Sequence, residues 1–553
     1  MELNNDNMTM YQAVKEAALE VPKNTAVYYQ GKKISFKKFI KLVDRMADIC
    51  QNRLGIEAGD TVLLAQPNIP DVLVLFYALN KIGAMVNLVH PFIPYNQTKN
   101  IFTKTRSKYA FLFEQRIAKE VESYRTFADN VYVCRVENYL HFGKKIFYHL
   151  FMNGAIRKKL GKYRGSFKGF KYVHKLKPTG KEVKEYINDS TKPAVMLHSG
   201  STTGKPKTIC ISNDSFNFIG HHAYEFLACK KEEAVGTMML SVLPSFHGFG
   251  LCMTMHAPLM MRFGSALIPK FSPEAVIDVM NHTRLGSMCG IPGVYEKLLA
   301  SEKFLNNKNL KYLHVGFCGG DSMNVNLKHR WDEAMKEHGS HCQVFEGYGL
   351  SEAIAVNCVN TFDHNKEGSI GYPGSGFNFK VIDENEKEVK RGEIGEICVK
   401  SPATMLYYYD DEEATKATFT KDGYLKTGDL GYMDEDNFIF FKQRKKRVVK
   451  VSGVGVFPSE IESLVETVPG VINVCAIRIP DPRLGSAIKL FVVAKYFDEE
   501  GMRRSIIEMC QKYLIRWAIP KEIEFREELP VTLLGKIDFK TLQEEEDRKR
   551  GVK

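Results

Sequence analysis

Short apolar runs of β-forming residues, each halted by glycine or a polar turn and separated by amphipathic helical stretches, recur along most of this 553-residue chain. That rhythm constrains the fold more than any other feature. Thr61–Ala65, Ala194–Leu197, Met238–Val242, Ser265–Ile268, Tyr312–Phe317 and Val344–Phe345 read as buried strands, and Phe39–Leu54 as a helix. Strands that alternate with helices build wound α/β layers. From Gly371 to Tyr409 the period changes to two, as in Glu396–Lys400, which predicts smaller antiparallel β structure. The chain is too long for one core, and its length corresponds to roughly two to four domains.

A second change of composition comes at FKQRKKRVVKVSGVGVFPSEIE, residues 441–462. The four basic residues Arg444–Arg447 make a poor core and read as a linker. Beyond them the pattern predicts a helix over Ser459–Val468 capped by Ser459, strands over Val471–Arg478 and Ile488–Ala494, a helix near Met502–Leu514, and a final loop. This is a separate α+β domain of about 105 residues. The expected organisation is therefore a large domain over 1–443, a hinge at 444–447 and a small domain over 448–553.

Charge and cysteine usage narrow the function classes. The net charge of +12 is concentrated in residues 144–177, which hold eleven Lys or Arg and no Asp or Glu. The remainder is nearly balanced, so a nucleic-acid role for the whole protein is not indicated. Interleaved aromatics (Phe147, Tyr148, Phe151, Tyr163, Phe167, Phe170 and Tyr172) also fit peripheral contact with an anionic membrane. The twelve cysteines show no C-x-x-C pair or metal-ligand spacing, and no secretory signal precedes them, which predicts free thiols in a reducing cytoplasm. Residues 234–261 lack charge, but Pro244, Gly248, Gly250, His247 and His256 interrupt them, so no spanning helix is expected.

HSGSTTGKPKTI, residues 198–209, follows an apolar strand. Its glycines let backbone N–H groups face an anion, Ser199, Ser201, Thr202 and Thr203 add hydroxyl donors, and Lys205 adds a positive charge. Such a loop suits a mobile polyphosphate, although three residues separate Gly200 from Gly204 where a Walker-type loop has four, and Pro206 follows the lysine. YGLSE, residues 348–352, sets an aromatic ring, a turn glycine and a carboxylate together, an oxygen ligand of the kind magnesium takes. TGDL, residues 427–430, places Asp429 on a turn, where a carboxylate can accept both hydroxyls of a ribose.

Eight segments occur in the order found in the adenylate-forming superfamily of acyl-CoA synthetases, peptide-synthetase adenylation domains and luciferases, and the chain resembles that family over nearly its whole length. They are SGSTTGKPK, LPSFHGFG (243–250), GGDSM (319–323), YGLSE, GEIGEI (392–397), TGDL, QRKKRVVKVSGVGVFPSEIE (443–462) and LPVTLLGKIDF (529–539). The resemblance implies that Ser199, Gly200, Ser201, Thr202, Thr203, Gly204, Lys205 and Lys207 hold the β- and γ-phosphates of ATP. By the same likeness Gly320, Asp321 and Tyr348 surround adenine, Gly349 belongs to the ATP site, Asp429 and Arg444 surround the ribose, and Ser351 and Glu352 the α-phosphate and Mg2+. Lys536 reaches between the acid and the α-phosphate, where negative charge builds during transfer.

It further implies that the small domain swings about Lys446 between an adenylation pose and a thiol-transfer pose, and that Ser452, Gly453 and Val454 line the thiol channel. Three positions depart from the family pattern: Gln443 replaces a common glycine, Ser351 a common threonine, and Phe539 a frequent arginine. Amino-acid-activating relatives carry an aspartate near the fourth motif, whereas this chain has Phe246 and His247 there. A buried ammonium lacking a carboxylate is costly, which disfavours an amino acid; the Phe246 and His247 pair is more like that of acyl and aryl CoA ligases, and this resemblance implies a medium- or long-chain fatty acid as substrate, with His247 beside the carboxylate or thiol path. Coenzyme A is the implied acceptor. The alternatives are an acyl-AMP ligase that loads an acyl carrier protein, a ligase for aryl or other acids, and a degenerate binding protein; a cytoplasmic, membrane-peripheral location is the accompanying expectation.

Overall fold

The computed structural model describes residues 7–120, 123–124, 127, 130–140, 171–199, 207–227, 235–323, 325–495, 498–532 and 536–551. The chain divides into two compact units, residues 1–378 with 400–419, and residues 379–399 with 420–553. The expected border at 443 does not coincide with this division, because the smaller β structure clusters with the C-terminal residues. Most of the basic segment, 141–170, lies outside the described residues.

The first unit is built on two sheets. One has eight strands, ordered Tyr407–Tyr408, Thr208–Ile211, Val195–His198, Met85–Leu88, Thr61–Ala65, Tyr109–Phe113, Val131–Cys134 and Lys171–Tyr172. The other has nine and contains the parallel run Val315–Cys318, Leu285–Gly290, Met238–Ser241 and Gly264–Leu267, extended by Gln343–Tyr348 beside Val315–Cys318. The six strands expected from sequence are all present, with ends shifted by up to three residues. Wound α/β layers are confirmed.

Local sequence explains the helices. Pro70–Lys81 is apolar on nearly every face and buries all twelve residues, as an interior helix must, with proline at the position where a missing N–H costs nothing. Met10–Glu20 starts at a reciprocal cap between Thr9 and Gln12. Phe36–Asp48 runs on into a π-helical turn at Ile49–Arg53, which accounts for the length of the expected helix. The uncharged stretch folds as the strand Met238–Ser241, a π-helical segment Phe249–His256 and the short helix Ala257–Met260, and its apolar side chains are core. His256 sits there between the Tyr77 hydroxyl at 3.0 Å and Asn217 Oδ1 at 3.1 Å. Among the described residues no helix is long and apolar enough to cross a membrane, and eleven cysteines are free and buried.

The second unit holds a four-stranded sheet, Asn378–Ile382, Gly395–Lys400, Leu425–Met433 and Ile439–Arg444, a hairpin Val449–Val451/Val454–Val456, and a three-stranded sheet, Val471–Asp481, Gly485–Ala494 and Glu522–Phe525. Three expectations are corrected. The basic run is not a free linker: Arg444 pairs with Asp429, Lys445 with Glu396 and Arg447 with Glu462. The helix after it spans Pro458–Val465 and Ser459 does not cap it; the Ser459 hydroxyl donates to the Lys442 carbonyl instead. The tail is not a loop but a strand and a helix, Phe539–Lys549, started by the Asp538 carboxylate on Thr541 N–H.

Candidate nucleotide site

The first unit collects its candidate residues at the C-terminal ends of parallel strands, where wound α/β sheets bind ligands. Strand Val195–His198 turns back into Thr208–Ile211, and Ser199 and Lys207 close the base of the intervening loop. Ser199 N–H donates to the Lys207 carbonyl at 3.0 Å, and Lys207 N–H to Ser199 Oγ at 3.1 Å. Gly200, Ser201, Thr202, Thr203, Gly204 and Lys205 lie outside the described residues. His198 anchors this base from below: Nε2 is 2.7 Å from Asn87 Oδ1 and Nδ1 3.2 Å from Thr208 Oγ1. Burial, with the Lys104 charge second, lowers its pKa to about 4, so the ring is neutral and serves as a hydrogen-bonding strut.

The neighbouring motifs converge at closely packed glycines, of which Gly349 leaves no room for a side chain. A Cβ on Gly319 would stand 3.1 Å from both the Gly347 carbonyl and the Phe249 ring, which locks the 319–323 turn against the 243–250 loop and the strand leading to Tyr348. A Cβ on Gly349 would fall 1.3 Å from the Ala355 carbonyl oxygen. The chain after Glu352 thus doubles back onto Gly349, and Ile354 and Ala355 take φ values of 33° and 63° to do so. Backbone held in such sparsely populated regions clusters at functional sites. A Cβ on Gly248 would stand 3.4 Å from Leu197 and 3.7 Å from the Ala355 nitrogen, so the turn carrying Phe246 and His247 runs close to the loop-bearing strand and the Glu352 segment.

Gly320, with φ of 81°, and Asp321 are exposed at the rim, the latter accepting from Ser322 N–H at 3.1 Å. Beneath them Glu346 accepts from Met323 N–H at 2.8 Å; burial raises its pKa to about 7. Tyr348 ends its strand, and Ser351 and Glu352 open a short 3-10 turn. A cavity of about 330 Å³ exists elsewhere in this unit, beside Met85, Ala194 and Tyr186, and holds none of these residues.

Sequence reasoning missed one residue of this cluster. Tyr408 donates from its hydroxyl to Glu352 Oε1 at 3.0 Å, and Lys207 Nζ stands 4.2 Å from the centre of its ring. Its signal, the middle of YYY at 407–409, is only that of a short strand; its place comes from pairing with Ile209 across the sheet edge.

In the second unit Asp429 lies within strand Leu425–Met433 rather than on a turn, a further correction, and directly opposite Arg444. Arg444 Nε reaches its Oδ1 at 2.9 Å, covering a carboxylate whose side chain is 1% exposed. Gly428, at φ 72°, donates to Glu396, which bends the strand at this point. Lys446 lies between Lys445, tied to Glu396 at 2.7 Å, and Arg447, which bonds Glu462. Ser452 and Gly453, both at positive φ, make the two-residue turn of the hairpin that ends in Val454–Val456. Lys536 sits in a loop closed by Thr532, whose N–H donates to the Lys536 carbonyl at 2.7 Å.

A single partly buried carboxylate, Glu352, with Oε1 already engaged, is a donor set that fits a magnesium ion arriving on phosphate and keeping most of its own waters. Among the described residues no group of three His, Cys, Asp or Glu side chains converges as a resident metal site.

The chain is similar to known proteins over nearly its whole length. The chain is 29% identical to the long-chain-fatty-acid–CoA ligase of Salmonella typhimurium, over 98% of this chain and 96% of that one. It is 27% identical to the protein of the same name from Bacillus subtilis, over 100% and 97%. The ATP-bound crystal structure of MatB from Rhodopseudomonas palustris shares the fold, with a TM-score of 0.81 at 22% identity, covering 99% of this chain and 100% of that one. The family described as AMP-binding enzyme matches residues 14–409, and its C-terminal domain matches residues 460–536. With more than half of its length matched by the family model, the chain belongs to the AMP-binding enzyme family.

Proposed function

We propose that this enzyme joins a medium- or long-chain fatty acid to coenzyme A in two steps driven by ATP. In the first, the acid's carboxylate oxygen attacks the α-phosphorus, the bond to the bridging oxygen breaks, and pyrophosphate leaves. In the second, the coenzyme A thiol attacks the acyl-adenylate carbonyl and AMP leaves. The observation that carries this reading is the meeting, in one unit, of the Ser199–Lys207 hairpin, the Gly319–Asp321 turn and the Tyr348–Glu352 segment. Full-length likeness to proteins named long-chain-fatty-acid–CoA ligases supports the choice of acid.

In this reading Ser199, the 200–205 loop and Lys207 bind the departing phosphates with N–H, hydroxyl and ammonium donors. Gly320, Asp321, Tyr348 and Gly349 form the adenine wall; Asp429 and Arg444 take the ribose, their mutual pair opening or shifting to admit its hydroxyls. Ser351 and Glu352 face the α-phosphate, and Mg2+ held by Glu352 supplies charge neutralisation across the phosphates. Lys536 brings its ammonium to the two anions being joined, an interaction strongest as charge develops on phosphorus. Phe246 and His247 belong to the acyl side. Lys446 is the pivot of the small domain, and the Ser452–Val454 turn lines the thiol path. The basic segment at 144–177 attaches the enzyme to anionic membrane, which cosedimentation with anionic vesicles at low and high salt tests directly.

The central test mixes the protein with ATP, magnesium, hydroxylamine and acids of graded chain length. Hydroxamate forming selectively with acids of ten or more carbons (about that length) supports the proposal. No hydroxamate with any acid rejects adenylation, and hydroxamate without thioester on addition of coenzyme A redirects the second step to an acyl carrier protein.

A further inference from the structure

Segment 400–419 returns to the first unit, where it lays the edge strand Tyr407–Tyr408 beside Thr208–Ile211 before the helix Glu412–Thr418, and the strand's backbone is fastened on both sides. Leu406 N–H donates to Cys210 O at 2.9 Å, Tyr409 N–H to Thr208 O at 2.8 Å, and Met405 N–H to Glu352 O at 2.7 Å. Tyr408 N–H is taken by Thr415 Oγ1 at 2.9 Å. The side chain this presents, 6% exposed, touches a cation with its ring face and an anion with its hydroxyl. Among the described residues no ion pair joins Lys207 to Glu352; Tyr408 stands between them.

We infer that Tyr408 is a positioning residue that keeps Lys207 and Glu352 ready for a magnesium-bound triphosphate, an inference that rests on the roles given to those two residues above. Left to themselves, an ammonium and a carboxylate on adjoining segments attract each other, and a closed pair offers little to a ligand. A tyrosine ring holds the ammonium by its quadrupole without cancelling its charge. The neutral phenol likewise fixes one carboxylate oxygen by a hydrogen bond and leaves the negative charge on the group. Oε1 is thus occupied, and Oε2 would be the oxygen left for the metal. Partners of this kind, one step removed from the ion, set ligand orientation, and their loss typically costs 10–100-fold in metal affinity.

The experiment is calorimetric titration of ATP into the full chain, with EDTA and across a magnesium series, together with melting temperatures. Tyr408→Phe keeps the ring and removes the hydroxyl: metal-free ATP affinity stays within about twofold and the melting temperature is unchanged, while the magnesium concentration that gives half of the tight binding rises about tenfold. Tyr408→Leu removes the ring too, and weakens metal-free ATP by a further factor of about five. Glu352→Gln abolishes the magnesium dependence. If Glu352→Gln retains it, the metal role of Glu352 is wrong and the inference falls with it. If Glu352→Gln loses it but Tyr408→Phe matches wild type, the inference alone is overturned. Equal weakening of ATP with and without magnesium in Tyr408→Phe also overturns it. Should Tyr408→Leu fail to fold, the Tyr408→Phe comparison decides.

Discussion

Positive charge is held in two different ways at two places, one beside the phosphate-loop strands of the first unit and one in the basic run of the second. In the first, Lys207 rests on the face of Tyr408, and the carboxylate nearby is bonded to a neutral phenol. In the second, three of the four residues at 444–447 are paired with carboxylates: Arg444 with Asp429, Lys445 with Glu396, and Arg447, which also lies over the Phe539 ring, with Glu462. A charge meant for a ligand gains from a partner that does not neutralise it, because what the protein withholds from internal pairing is available at binding. A charge meant to set the chain's course gains from the opposite arrangement. Arg444 and Lys445 are tied to the four-stranded sheet and Arg447 to the helix beyond, so the chain passes from one anchor to the other at Lys446.

The sharpest way to break this contrast is at Lys536, assigned here to a ligand although it belongs to the same unit as the paired run. Lys536→Ala should lower acyl-adenylate formation on the order of 100–1,000-fold and leave thioester formation from supplied acyl-adenylate nearly intact. Equal loss in both half-reactions removes it from the ligand class.

Glu462→Gln probes the structural class. Arg447 and Glu462 are 19% and 14% exposed, and removing one member of a buried pair costs about 3 kcal/mol. Urea denaturation should show that loss in the transition of the second unit. Lys446→Pro fixes φ at the intervening residue; overall turnover should fall about tenfold or more while adenylation is retained, and an unchanged turnover dismisses the pivot.

Two buried groups near the nucleotide motifs give opposing acid responses. Glu346 titrates in the folded state near 7 because burial disfavours its charge. The stability linked to it is fully present below its ordinary value of 4.5 and is lost as pH rises through 7. His198 is lowered to about 4, so its contribution is present above 6.5 and lost as pH falls through 4. The two slopes offset one another between about pH 4.5 and 6.5. Glu346→Gln should remove one of them, making the protein less stable at pH 5 than at pH 7 by about 2 kcal/mol more than wild type. The smallest effect is expected of Glu396→Gln: Lys445 is 49% exposed, and the pair should be worth about 1 kcal/mol or less.

Much of the first unit was legible because buried strands announce themselves as apolar runs and the nucleotide turns carry glycines that geometry demands, Gly349 above all. Tyr408 was not, since nothing local marks it; its partners are 201 and 56 residues distant in sequence, and the sheet edge alone brings them together. Asp429 was placed on a turn because TGDL has turn composition, yet cross-strand pairing with Arg444 holds it extended. Helix Phe539–Lys549 escaped because only Leu542 and Glu546 of its eleven residues are buried, leaving almost no apolar period to detect. The basic run misled for a related reason: charge density reads as a solvated linker until the carboxylates opposite, remote in sequence, are known.

The account depends most on the site being one for adenylation, and the nucleotide products test it directly. With ATP, magnesium, a long-chain acid and coenzyme A, it predicts AMP and pyrophosphate in equal amounts with the thioester, and acid-dependent exchange of labelled pyrophosphate into ATP when coenzyme A is left out. Release of ADP and phosphate, or exchange that proceeds without acid, would contradict it.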